Sequence, residues 1–309
     1  MITSDKICKS LSIPHFGKAI SLSGFTTIDQ PKLGSILFLK NSSSKSIQKL
    51  SKHSNSMYVL PESLKINFQP NTNDCAYIFH PEPRKIFFEI IDKFFNFKKK
   101  PSIHPSVFVD KNVKIGMGVN IEQGVSISGS CRIEDGVSIG SNVLIIGPCQ
   151  IGKNSVISSG VIIGEESLSI RSDENLQFQN PQLGGVIIGK NCRIGVFSTI
   201  SRGSLGDTIL ENNVFMGEYS HVGHNSYVAS HSVLTIRSSI CGSVRIEKPC
   251  WLGPHAVILN GVTIREEIKL GAGSILHSNA KKQGTYFGNP AKLLDFKNKN
   301  KHRNRNSNA

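Results

Sequence analysis

From residue 103 to residue 163 an isoleucine or valine returns at every sixth position: Ile103, Val109, Ile115, Ile121, Ile127, Ile133, Ile139, Ile145, Ile151, Ile157 and Ile163. The register slips and resumes with Ile188, Ile194 and Ile200, then slips again. A third run holds Met216, Val222, Val228, Leu234, Ile240, Ile246, Leu252, Ile258, Ile264, Leu270 and Leu276. An amphipathic helix repeats at 3.6 residues and a half-buried strand at two, so period six fits neither. Small or β-branched residues stand two positions earlier, among them Val125, Cys131, Val137, Val143, Cys149, Val244, Cys250 and Ala256, and Gly follows many of the apolar residues. This pattern predicts a mainly β fold, a parallel β-helix in which each hexapeptide gives one short strand and one corner. Three hexapeptides close a triangular coil, and each coil buries the apolar residues of the last.

The pattern fails at both ends and at two places inside. The first hundred residues show an apolar run, Ile36-Leu37-Phe38-Leu39, of strand length, and a stretch from Arg84 to Phe97 with Ile86, Phe87, Ile90, Ile91, Phe94 and Phe95 at helical spacing. They predict a small α/β domain over residues 1–100, ended by Lys98-Lys99-Lys100-Pro101. The solenoid then occupies 101–292, broken by a polar loop at 165–185 and a shorter one at 201–208. Loops that leave a rigid scaffold are where binding chemistry concentrates.

Charge changes this picture little. The chain carries a formal +14, but residues 1–103 hold 15 Lys or Arg against 7 acids and residues 295–309 hold 5 against 1. The solenoid is therefore near neutral, and 293–309 reads as a basic disordered tail. No nucleic-acid recognition motif accompanies the charge. Cys131, Cys149, Cys192 and Cys250 fall on inward positions, no metal-ligand spacing such as CxxC occurs, and neither a disulfide framework nor a metal is expected. No run of 18 apolar residues and no signal-peptide core appear, so the expectation is a cytoplasmic protein without a transmembrane segment.

A string of residues in the middle coils is far more specific than the repeat: Pro181-Gln182-Leu183-Gly184, Val186-Ile187-Ile188-Gly189, Ser198-Thr199-Ile200-Ser201-Arg202-Gly203, Asp207-Thr208 and His221-Val222-Gly223-His224-Asn225. It resembles the hexapeptide acyltransferases, and among them the UDP-3-O-acylglucosamine N-acyltransferases of lipid A synthesis. The resemblance implies a left-handed coil and a homotrimer with active sites between subunits. It implies a general base at His224, held by Asn225, and a uridine site in the first domain at Phe38 and Asn41, with Ser44 where the family has a tyrosine. A thioester attacked by an amine or hydroxyl must shed a proton, which imidazole accepts near neutral pH. It also develops an oxyanion, for which a backbone N–H near Gly223 or Gly242 is the candidate. Positions eighteen apart stack in adjacent coils, so His224, Gly242 and Asn260 are expected in one column.

The sequence departs from that family at two points. The register puts Gly261 where the lipid A enzymes have a second histidine, and Glu166-Ser167-Leu168-Ser169 replaces their Asp-Gly-Phe-Gly. The stretch from Cys250 to Ile264 and the closing Gly288-Asn289-Pro290-Ala291-Lys292 resemble instead the coenzyme A-dependent sugar acetyltransferases. Three readings stay open. The first is transfer of an acyl group from acyl carrier protein or acyl-CoA, as co-substrate and not bound cofactor, to the amine of a nucleotide-linked aminosugar. The second is acetyl-CoA-dependent sugar O- or N-acetylation in polysaccharide synthesis, and the third a non-catalytic scaffold.

Overall fold

The computed structural model describes residues 2–30, 32–40, 54–66, 74–96, 101–173 and 176–294. The chain divides into two compact units, residues 1–99 and 100–309. Among the described residues no helix is long and apolar enough to cross a membrane.

The first unit opens with β1 (Ile2–Thr3) and helix α1 (Ser4–Leu11). Strands β2 (Phe16–Gly17), β3 (Ser21–Leu22), β4 (Gly24–Phe25), β5 (Ser35–Phe38), β6 (Met57–Pro61) and β7 (Ala76–His80) follow, and helix α2 (Pro83–Phe94) ends it. Strand β1 pairs with β3, and the other five form one sheet in the order β2-β7-β6-β5-β4. Strands β4 to β7 run parallel and β2 antiparallel to β7. A sheet covered by helices needs strands apolar on both faces, and Ile36, Leu37, Tyr58, Val59 and Leu60 are all buried. Helix α2 starts one residue before the stretch read from sequence, because Pro83 is pre-set for the first helical turn, and ends at Phe94. Its Ile86, Phe87 and Ile90 are buried with β5 and β6 beneath them.

The second unit is the solenoid. Among the described residues its strands form three faces, a first of ten strands, a second of nine and a third of eight, all parallel but for the closing strand Lys292–Leu293 on the first. Ile127 pairs with Ile145 and Ile240 with Ile258, so regular coils advance by eighteen residues. The step lengthens where Ile163 pairs with Ile200 and Ile200 with Val222, since a loop leaves the coil there each time. Every residue of this inward column from Ile127 to Leu276 is at most 2% exposed. The position two before it changes along the axis, from Val125, Val143 and Val161 to buried Ser198, Ser220 and Ser238. Their hydroxyls donate to the carbonyls of Gly217 at 2.9 Å and of Thr235 at 2.9 and 2.8 Å. A buried hydroxyl is tolerated once bonded, which is how a polar residue occupies an apolar register.

The corners need left-handed backbone. At the corner between first and second faces that residue is Asn142, Gly160, Phe197, Tyr219, Arg237, His255 and Gly273 in successive coils, all with φ between 55° and 69°. The corner between second and third faces carries both interruptions. The longer one contains an antiparallel hairpin, Ile170–Asp173 with Leu176–Gln179, that the sequence pattern did not announce.

Candidate active site

The segments of the motif string, spread over residues 181–225, meet at the corner between second and third faces. The buried Gln182 closes the base of the long loop: its Oε1 accepts the Ser167 N–H at 3.1 Å, and its Nε2 donates to the Ser167 carbonyl at 2.5 Å. Gly184 then lies against the shorter loop, its N–H donating to Gly203 O at 3.0 Å. A Cβ on Gly184 would come within 2.1 Å of Gly206 O, and one on Gly203 within 1.7 Å of the same atom, so two backbones approach as only glycine permits. Asp207 Oδ1 accepts the Gly185 N–H at 2.8 Å. Arg202 donates to Gly147 O and to Gln182 O, and its Nε is buried with no partner among the described residues. Arg202 and Asp207 are braces that fix where the loops stand.

The two loops deliver their geometry to Asn225. Its Oδ1 accepts the Ser204 N–H at 3.0 Å, its Nδ2 donates to Gly206 O at 3.2 Å, and its own N–H donates to Thr208 Oγ1 at 2.9 Å. Asn tolerates the φ of +59° required at this corner. The amide orientation is fixed by those backbone partners, which leaves only Oδ1 to face His224 Nδ1 at 3.0 Å. An oxygen cannot donate, so Nδ1 carries the proton and neutral His224 has its lone pair on Nε2.

That nitrogen lies over Gly242. A Cβ on Gly242 would meet His224 Nε2 at 2.3 Å and Asn260 Oδ1 at 2.8 Å, so the three residues form one column and the missing side chain is space beside the lone pair. The Gly242 N–H has no acceptor among the described residues, while the next amide, Ser243, donates to His224 O at 2.7 Å. The structure thus brings His224, Asn225 and Gly242 together.

His221 belongs to the same motif segment. It stands on the outer side of the second face, half-buried, with Nδ1 2.7 Å from Thr199 Oγ1. Burial, and then the charge of His224, hold its pKa below the ordinary histidine value. The signal available in sequence was the register pairing of Thr199 with His221 across the loop, legible only once the insertion length is known. His231, His255 and His277 are exposed, the first two at left-handed corners. Gly261, at the place of the family's second histidine, has φ +73° with open space where a Cβ would stand.

Phe38 belongs to the first unit. It ends β5, half-buried, its ring 4.8 Å from that of Phe87 on α2. Asn41, expected beside it, and Ser44 lie outside the described residues, as does the basic tail from residue 295. All seven cysteines are free; burial raises Cys131 and Cys250 to about 11, so they stay protonated and inert. Among the described residues no group of three or more His, Cys, Asp or Glu is placed to hold a metal.

Comparison with known proteins finds similarity in the repeats and in the fold. Residues 130–165 match the profile "Bacterial transferase hexapeptide (six repeats)", and residues 185–218 and 243–278 match "Hexapeptide repeat of succinyl-transferase". A UDP-3-O-acylglucosamine N-acyltransferase of Herminiimonas arsenicoxydans is 30% identical over 129 residues, 42% of this chain and 37% of that protein. One from Bordetella parapertussis is 30% identical over 133 residues, with 42% and 37% covered. The chain thus aligns with little more than a third of the length of these relatives. Among solved structures, a UDP-N-acetylglucosamine acyltransferase from Campylobacter jejuni superposes with a TM-score of 0.55 at 24% identity, covering 63% of this chain and 74% of that one. Another from Bacteroides fragilis gives 0.54 at 22% identity, covering 67% and 79%. This chain carries hexapeptide repeats on a left-handed parallel β-helix fold, and over 129 of its residues it is similar to a UDP-3-O-acylglucosamine N-acyltransferase.

Proposed function

We propose that the protein transfers an acyl group from a phosphopantetheine thioester, carried by acyl carrier protein or coenzyme A, to the amino group of a nucleotide-linked aminosugar. The observation that carries this reading is the Asn225 amide, whose two loop contacts oblige His224 to hold its proton on Nδ1 and leave Nε2 bare above Gly242. In the reaction the sugar amine attacks the thioester carbon and His224 Nε2 takes its proton. The Gly242 N–H donates to the oxyanion that forms on the carbonyl oxygen, and the carbon–sulfur bond then breaks to release the pantetheine thiolate. That thiolate takes up the proton from the imidazolium, so no metal or redox partner enters the balance. Asn225 stays a positioning residue, since it reaches the reacting atoms only through His224.

The nucleoside arm falls to the first unit. Ligands of open parallel α/β sheets sit at the carboxyl ends of the strands, and Phe38 ends β5 on that edge. Its partly buried side chain is the surface on which a uracil would stack, with Asn41 two residues past Leu39 in the following segment. A homotrimer acting in the cytoplasm, in lipid A or surface-glycan synthesis, completes the reading and is supported by the similarity to the lipid A enzymes.

A second reading, acetyl transfer from acetyl-CoA, is favoured by Gly261 in place of the family's second histidine and by the closing Gly288-Asn289-Pro290 segment. The test is a mass-spectrometric screen of acetyl-CoA and 3-hydroxyacyl carrier protein against UDP- and dTDP-aminosugars. Transfer from the carrier protein to a UDP-glucosamine derivative supports the first reading. Transfer only from acetyl-CoA supports the second, and no transfer from either donor returns the chain to a scaffold role.

A further inference from the structure

A groove of about 430 Å³ lies near the far end of the solenoid on its first face, at the corner with the third, whereas His224 stands at the corner between second and third. It is lined by Trp251, the single tryptophan of the chain, a residue that is 41% exposed. Trp251 is in register with Val233 on one side and Lys269 on the other, and Lys269 with Thr285. Glu267 and Gln283 complete the polar wall, the Gln283 Nε2 standing 3.5 Å from Glu267 Oε2. Nothing in the proposed transfer uses these residues.

The lining selects a ligand chemistry. An exposed indole next to a β-branched side chain offers a flat apolar surface. Around it stand a carboxylate, an amide, a hydroxyl and an ammonium, which together both donate and accept hydrogen bonds. A hydrocarbon chain would strand those polar groups, at the cost of their lost hydration. A phosphate would face Glu267, whose charge cancels that of Lys269. A pyranose ring satisfies both halves, with an apolar C–H face for the indole and a rim of hydroxyls that donate and accept. We propose that the groove over Trp251 is a carbohydrate subsite that takes a neutral glycoside, separate from the His224 corner.

Trp251 reports on its own groove, because no other indole contributes to the emission. The experiment titrates the full-length protein with methyl α-D-glucopyranoside and with N-acetylglucosamine, reading the emission maximum and acrylamide quenching, with UDP alone as the nucleotide arm. The expected result is a saturable blue shift and protection from quencher with either sugar, half-complete in the millimolar range typical of a ligand of about a dozen heavy atoms on a shallow surface (Kd ~1–10 mM). UDP should give no shift. Glu267→Gln and Gln283→Ala should each weaken the sugar response about fivefold or more with an unchanged melting curve. His224→Ala should leave the response intact. No shift with either sugar, an equal shift with UDP, loss of the shift in His224→Ala, or an undiminished response in both groove variants overturns the proposal. None of these outcomes bears on acyl transfer, which the donor screen tests separately.

Discussion

Two corners of the same solenoid show what its geometry does by default and what it does where chemistry is proposed. At the corner between first and second faces every coil turns in two residues, the second of them in left-handed backbone. Here the side chains serve one another: the Phe197 and Tyr219 rings stack at 5.5 Å, and the Arg237 guanidinium lies 5.5 Å from the Tyr219 ring centre. Exposed aromatics in left-handed backbone are costly, and the stack offsets that cost by tying coil to coil. At the corner between second and third faces the coil is broken twice, and side chains bond backbone about twenty residues away in sequence. The first corner can be read as a stability device. The second spends its hydrogen bonds on holding one imidazole nitrogen unbonded.

Substitutions should separate the corners by what they change. His224→Ala should lower turnover by roughly 10² to 10⁴ while the melting temperature stays within error, measured by mass-spectrometric rates beside thermal denaturation. Asn225→Ala removes the partner of Nδ1 and both loop contacts. It should cost about 10² in kcat, with a modest loss of stability from the left-handed corner, and little change in KM for either substrate. Tyr219→Ala, at the other corner, should do the reverse: about 0.5–1.5 kcal/mol of stability lost in denaturant titration, with kcat unchanged. A fall in kcat there would break the comparison.

The smallest expected effect is in pH. Folding depresses the His221 pKa, so neutral His221 stabilises the fold above the ordinary histidine range. As pH falls through that range the unfolded chain gains a proton first, and this stability is lost as pH drops toward the depressed value. Denaturant titrations between pH 8 and pH 5 should show wild type losing more stability than His221→Gln.

Much of this was legible in the sequence, for identifiable reasons. Period six fixes inward and outward positions, so the solenoid, its cysteines and the places of both interruptions follow from spacing. The column of His224, Gly242 and Asn260 follows because those coils contain no insertion and eighteen residues make one coil. Spacing fails across an insertion, since loop length says nothing of where the chain re-enters. The contacts of Thr199 with His221, Asn225 with Ser204 and Gly206, and Gln182 with Ser167 were therefore hidden. The buried serines were hidden too, because hydropathy marks Ser as polar whether or not a carbonyl is waiting for it.

The central claim is that reaction occurs in the space between His224 Nε2 and Gly242. Gly242→Ala tests it most directly. This corner position has no left-handed φ, so alanine costs no backbone strain there, yet its Cβ would stand 2.3 Å from Nε2. The measurement is the rate of acyl transfer by Gly242→Ala beside wild type, at matched melting temperature. A fall of about 10² or more is the expected result, as a displaced base and a blocked oxyanion donor would give. A wild-type rate would contradict the account and move the chemistry away from this corner.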